Sequence, residues 1–201
     1  MNHHESTSIF LSPSTGKKNW SRGFTFIEVV ITVALFLILM LAVTQLYIMY
    51  GRVILSQQSS IAVALGGSSI MDATRNASLQ AAQIVATHTF SGVEYVSGTT
   101  TALFELPAID ASGAIIDNAY DYIGISASST SAYHIIDAAS GSARVSGMKR
   151  LTDVLDALSF AYDNPSFPLV TNITVDATTS ATVRGETIQT HLRESVYLRN
   201  L

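Results

Sequence analysis

Nothing constrains this chain more than the apolar run that starts at Phe24 and ends at Tyr50. From Val29 through Gly51 it carries no charged residue. As an α-helix rising ~1.5 Å per residue, Phe24 to Tyr50 would extend ~40 Å, more than the ~30 Å hydrocarbon core of a bilayer. The run therefore reads as a single membrane-spanning segment. One acid, Glu28, lies just inside its start. A carboxylate at membrane depth is costly and marks a functional position by default, so Glu28 needs a partner.

The flanks orient this segment. Residues 1–23 are polar, rich in serine, broken by Pro13 and Gly16, and carry Lys17, Lys18 and Arg22 against a single acid, Glu5. They read as a targeting leader outside the fold. Of the chain's 11 Lys and Arg, 8 lie beyond it, and of its 15 Asp and Glu, 14 do. A basic cap before the run and an acidic body after it place the N-terminus in the cytoplasm and the body outside. The same balance argues against nucleic acid as a partner, because phosphate binding needs clustered cations. The small basic cluster of the body, Arg144, Lys149 and Arg150, is explained by a solvated loop. A cleavable secretory signal is the competing reading of the run. Its apolar stretch is shorter, about 7 to 15 residues, and ends at a small-x-small site; here the nearest is Ala62-Val63-Ala64, beyond Arg52.

Helical spacing continues past Arg52, with Ile54, Ile61 and Leu65 recurring at seven and four. Gly66-Gly67 weakens a helix, and Ser69-Ile70-Met71-Asp72 has capping-box spacing. A kink is therefore expected near 66–67, followed by a second stripe of Ile70, Ala73, Ala77, Ala81 and Ile84. The expected organisation is a leader at 1–23, a transmembrane and assembly helix at 24–50, an amphipathic continuation at 51–86, and a β domain at 87–201.

After Thr87 the period changes to two. Short runs at Val93–Val96, Ala102–Leu106, Tyr120–Ile125, Tyr133–Ile136, Leu158–Tyr162 and Leu169–Ala177 are separated by turn residues. In Thr187–Leu198, Ile188, Leu192, Val196 and Leu198 share one face, and Gln189, His191, Arg193 and Tyr197 share the other; Arg199 continues the polar side. Its expected partner is Leu169–Ala177, with Leu169, Thr171, Ile173 and Val175 in one row. Late connections too short for helices imply antiparallel pairing. The fold class is α+β: a long N-terminal transmembrane-plus-amphipathic helix packed on a C-terminal antiparallel β-sheet.

Arg22-Gly23-Phe24-Thr25-Phe26-Ile27-Glu28, followed by this apolar helix, resembles the processing site of type IV prepilins and type II secretion pseudopilins. The resemblance implies cleavage after Gly23 by a prepilin peptidase, N-methylation at Phe24, and a role for Glu28 in assembly. There it would meet the terminal amine of a neighbouring subunit and set helix register. The usual motif has leucine where this chain has Phe26. A second resemblance covers Thr101-Ala102-Leu103-Phe104-Glu105-Leu106-Pro107, Tyr122-Ile123-Gly124-Ile125, the stretch from Leu151 to Tyr162, and the ending Ser195-Val196-Tyr197-Leu198-Arg199-Asn200. These are similar to the order of segments in J-type pseudopilins and W-type minor pilins. The implied partners are other pilin subunits, the peptidase, an assembly platform, and membrane lipid before assembly. The implied location is the cytoplasmic (inner) membrane, then a periplasmic or cell-surface filament.

Other motifs have plainer explanations. Ser146-Gly147-Met148-Lys149 has the spacing of a serine activated by lysine but lacks the companion motifs of penicillin-recognising enzymes, so a surface turn is expected. Without cysteine there is neither a disulfide nor a thiolate metal site. His88, His134 and His191 fall on separate elements, and His3 and His4 in the leader, so no metal and no cofactor are expected. Asp110, Ser112 and Asp117 flank a glycine turn but depart from the calcium-loop pattern. Tyr120, Tyr122 and Tyr133 suggest cross-strand aromatic pairs rather than an adhesive face. With no nucleophile, base and orienter in view, the chain is not read as an enzyme. The rival functional reading is a single-pass, membrane-anchored binding or adhesion module, including a competence-type DNA-uptake pseudopilin.

Overall fold

A computed structural model describes residues 23–199. Its one α-helix, α1, runs from Phe26 to Ser78. Internal contacts divide the chain between Met49 and Tyr50 into two units. In the first unit every described side chain is exposed, from Gly23 to Met49, and the apolar stretch reaches a mean hydropathy of 2.9 with none of it buried. Two hydroxyls in this stretch are satisfied by the helix itself: Thr32 Oγ1 donates to the Glu28 carbonyl at 2.7 Å and Thr44 Oγ1 to that of Met40 at 2.8 Å. In hydrocarbon, where no water is available, such internal bonds are what a polar side chain requires.

The second unit holds the rest of α1 and ten strands. These are β1 (Gln83–Ile84), β2 (Thr87–Phe90), β3 (Val93–Val96), β4 (Thr101–Ile109), β5 (Ile115–Ser128), β6 (Ser131–Asp137), β7 (Gly147–Thr152), β8 (Leu155–Tyr162), β9 (Asn172–Val183) and β10 (Glu186–Tyr197). They form a five-stranded sheet ordered β1-β4-β5-β6-β7, a three-stranded sheet ordered β10-β9-β8, and the hairpin β2-β3. Every pairing among the described residues is antiparallel.

The stripe of α1 that meets the sheets is Val63, Gly66, Gly67, Ile70, Met71, Thr74, Ala77 and Ser78, a run of three- and four-residue steps. It packs into a core with Phe104, Ile123 and Ile125 of the larger sheet and Leu158, Phe160, Ile173 and Val175 of the smaller. The α-helix passes through Gly66-Gly67 without a break. The pair marks close approach: a Cβ on Gly66 would overlap Thr152 Oγ1, and one on Gly67 would lie 2.9 Å from Leu192 Cδ1. Thr179 Oγ1 of β9 donates to the Val63 carbonyl at 2.8 Å in the same region. The expected restart of the helix at Ser69 is thus replaced by continuous helix, and Ile61 and Leu65, expected on its apolar stripe, are 59% and 60% exposed.

The helix also ends sooner than expected. It stops at Ser78, and Ile84, placed on its stripe by spacing, is a buried residue of β1 paired with Phe104. The amide of Ala82 donates to the Glu105 carbonyl at 2.8 Å, so the backbone there is claimed by the sheet. In the smaller sheet β9 and β10 pair without a register shift from Asn172↔Tyr197 to Val183↔Glu186. The connecting Arg184 and Gly185 both have positive φ, 54° and 85°, as a two-residue type I′ hairpin requires. The inward row of β10 is the expected one. That of β9 begins later, at Ile173, because Leu169 belongs to a 3-10 turn, Phe167–Leu169, and Thr171 precedes the strand. The hairpin β2-β3 covers the second face of the larger sheet, where Phe90, Leu103 and Ile135 form a smaller core and Phe90 lies against Gly124.

Candidate processing and assembly site

The start of α1 is built by a reciprocal cap. Thr25 immediately precedes the first helical residue, and its amide and hydroxyl donate to Glu28 Oε2 at 2.8 and 2.9 Å. In return the Glu28 amide donates to Thr25 Oγ1 at 3.3 Å. This is a capping box, in which each residue's side-chain oxygen accepts from the other's backbone amide, both amides being otherwise orphaned at the helix end. Glu28 also places negative charge in the first turn, where the helix dipole favours it. The partner that the Glu28 carboxylate requires is thus supplied, in the single chain, by Thr25. The T-x-x-E spacing ahead of an apolar run was the signal for it, and Ser69-Ile70-Met71-Asp72 is not a cap.

Gly23 and Phe24 precede the helix in an exposed segment without regular secondary structure, and nothing lies within 4 Å of where a Gly23 Cβ would sit. The peptide between them is flanked by exposed residues on both sides. Arg22 and the remainder of the leader, His3 and His4 included, lie outside the described residues.

The other candidates are dispersed. His88 Nε2 is 2.9 Å from Asp137 Oδ2, and its ring stacks on Tyr122 at 3.8 Å. His191 Nε2 is 2.7 Å from Asp176 Oδ1 on the neighbouring strand. His134 lies on β6 opposite Lys149 of β7, and burial, helped by that lysine, pushes its imidazole below the usual histidine range. No three metal-ligating side chains gather among the described residues. Asp110 is spent on its own turn, accepting from the Ser112 amide and hydroxyl and from the Ala114 amide. The Ser112 hydroxyl and these amides hold its carboxyl below the ordinary aspartate range. Asp117 sits on an exposed part of β5.

Three expectations change. Gly147 to Lys149 begins edge strand β7 rather than lying in a surface turn, and Ser146 Oγ accepts from the Ala138 amide at 2.8 Å. The basic cluster is not one solvated loop: Lys149 and Arg150 are on β7, while Arg144 Nη1 lies 2.5 Å from Asp121, which is fully buried. The tyrosines do not pair with one another either. Tyr122 is opposite Asp137, Tyr133 opposite Ser126, and Tyr120 opposite Pro107. The Tyr122 hydroxyl donates to Glu105 at 3.1 Å, which, with burial as the larger cause, pushes its pKa up.

An exposed apolar helix, capped at its exposed start and followed by an antiparallel β unit, defines a membrane-anchored, single-pass protein of α+β class. The family model for the prokaryotic N-terminal methylation motif matches residues 21–44, which span Gly23, Phe24 and Glu28. The N-terminal segment therefore carries a methylation motif on an apolar helix, as type IV pilin- and pseudopilin-like proteins do. None of the curated proteins and none of the solved structures matches it.

Proposed function

We propose that this protein is a structural, minor subunit of a type IV pilus or type II secretion pseudopilus, cut after Gly23 and methylated at Phe24. The observation that carries this reading is the methylation motif at 21–44 placed on an exposed, capped apolar helix. Before cleavage Glu28 is held by Thr25. Cleavage creates an ammonium at Phe24, one residue from that cap, and bundling brings a neighbour's ammonium to the same depth. The carboxylate then sets the register of the incoming helix, because a charge pair in low dielectric tolerates little displacement. The helix leaves lipid for a bundle in which packing and this pair replace lipid contacts. The body stands outside the cytoplasmic membrane and does no chemistry of its own. The test is the intact mass and N-terminal fragment spectrum of the protein from its native membranes. A chain starting at methylated Phe24 supports the proposal; a chain still carrying residues 1–23, in cells that cut their other prepilins, overturns it.

A second reading, an anchored binding module, draws on a groove of about 460 Å³ between α1 and the larger sheet, lined by Asn76, Ile136, His134, Lys149 and Arg150 among others. An uncut chain that captured an acidic ligand through Lys149 would favour it.

A further inference from the structure

Arg52 follows the apolar run by two residues, which is ~3 Å along a helix. The headgroup layer on each side of a bilayer is roughly 5 to 8 Å deep. Tyr47 and Tyr50, 79% and 66% exposed, end the run as aromatic residues do at a membrane interface. Arg52 is therefore at headgroup level when the helix is embedded. It lines a cleft of about 280 Å³ shared with Arg184 and Glu186 of the β9-β10 hairpin, whose other walls include Val53, Val183 and Ile188. Among the described residues none of these three charged side chains has an opposite charge within 4.0 Å. Two arginines and one glutamate, without an ion pair among the described residues, thus line one small cleft beside apolar residues.

We propose that this cleft holds the headgroup of an aminophospholipid, a lipid carrying both a phosphate and an ammonium, while the chain is stored in the membrane. The guanidiniums of Arg52 and Arg184 take the phosphate oxygens, for which their planar donors are suited. Glu186 takes the ammonium, and it disfavours a headgroup that is only anionic. Val53, Val183 and Ile188 meet the glycerol and the first acyl carbons. The site ties the tip of the β9-β10 hairpin to the membrane surface, and it would be emptied when the helix leaves lipid. The inference rests on the membrane-stored state in the function proposed above.

The test uses the full chain in nanodiscs made of equal parts phosphatidylethanolamine, phosphatidylglycerol and phosphatidylcholine, with retained lipids counted by native mass spectrometry after detergent release. Phosphatidylethanolamine should be retained over the other two. Arg184→Asn, which suits the positive φ of the turn, should lower that retention about fivefold, the factor one interfacial arginine contributes. Arg184→Lys should keep part of it, and Glu186→Gln should remove the preference over phosphatidylglycerol. The same lipid mixture on the wild type and Arg184→Asn overturns the proposal. So does displacement by millimolar soluble phosphoethanolamine, which would make a free phosphate ester the ligand. Resistance to alkaline carbonate extraction from vesicles is measured alongside. A chain that is extracted refutes both the anchored subunit and this site, whereas a chain that stays embedded without lipid preference refutes the site alone.

Discussion

Asp121 is the residue on which one corner of the second unit turns. Its Oδ1 accepts from the Ala139 amide at 2.7 Å, and its Oδ2 accepts from Ser142 Oγ at 2.7 Å and from Arg144 Nη1. Arg144 also donates to the Pro107 carbonyl and to Gln80 Oε1, both at 2.9 Å. The pair fastens the segment between β6 and β7 to β4, β5 and the end of the helix. Removing one partner leaves the other charge buried, so Asp121→Ala should cost about 3 to 5 kcal/mol, measured by urea unfolding of the full chain in detergent and followed by circular dichroism. Asp121→Ala with Arg144→Leu should cost less than the first change alone. His134 supplies a pH dependence. Its folded pKa lies below the 6.5 of an ordinary histidine, so the unfolded chain takes up the proton first. The stability it contributes is full above that pH and is lost as pH falls through the lower folded value. His134→Gln should flatten this acid limb, and a limb of unchanged slope would remove His134 as its cause. At the helix start, Glu28→Ala should leave insertion and cleavage intact and impair filament incorporation; normal incorporation would refute the assembly role.

At the scale of elements, the glycine pair in α1 decides how near the sheets come. Alanine normally stabilises a helix over glycine by about 1 kcal/mol, yet Gly66→Ala would force its methyl onto Thr152. It should destabilise the chain by about 1 to 3 kcal/mol, the usual range for overpacking. Gly51→Ala meets no atom within 4 Å and should be neutral or stabilising, so the two substitutions differ in sign in the same unfolding experiment. This contact was illegible as periodicity because apolar-stripe reading weights large side chains, whereas here the buried face includes residues without one. The longer alternations were legible: β10 has its expected inward row and its expected antiparallel partner. Short strands were not. β1 is two residues long and was absorbed into the helix stripe, and β7 at the sheet edge exposes Gly147 to Arg150, so it carries no alternation of burial to read.

For the whole molecule, Lys17, Lys18 and Arg22 ahead of the apolar run predict an N-terminus in the cytoplasm, so alkaline phosphatase, which is active only outside the cytoplasm, should be active when fused after the last residue. An inactive phosphatase fusion beside a fluorescent cytoplasm-only reporter at the same site would reverse the topology. The anchor, the methylation motif, the acid at the helix head and the α+β class follow from the sequence alone. Each depends on a local quantity: the length of an apolar run, the charge on its two flanks, a four-residue cap, a period of 3.6 or 2. Tertiary structure alone decided where α1 stops, which of its faces is buried, and that ten strands divide into two sheets and a hairpin. It also brought Arg144 to Asp121 and Arg52 into one cleft with Arg184. These depend on residues far apart in the chain competing for the same backbone bonds and the same volume. That competition is resolved only when the core closes.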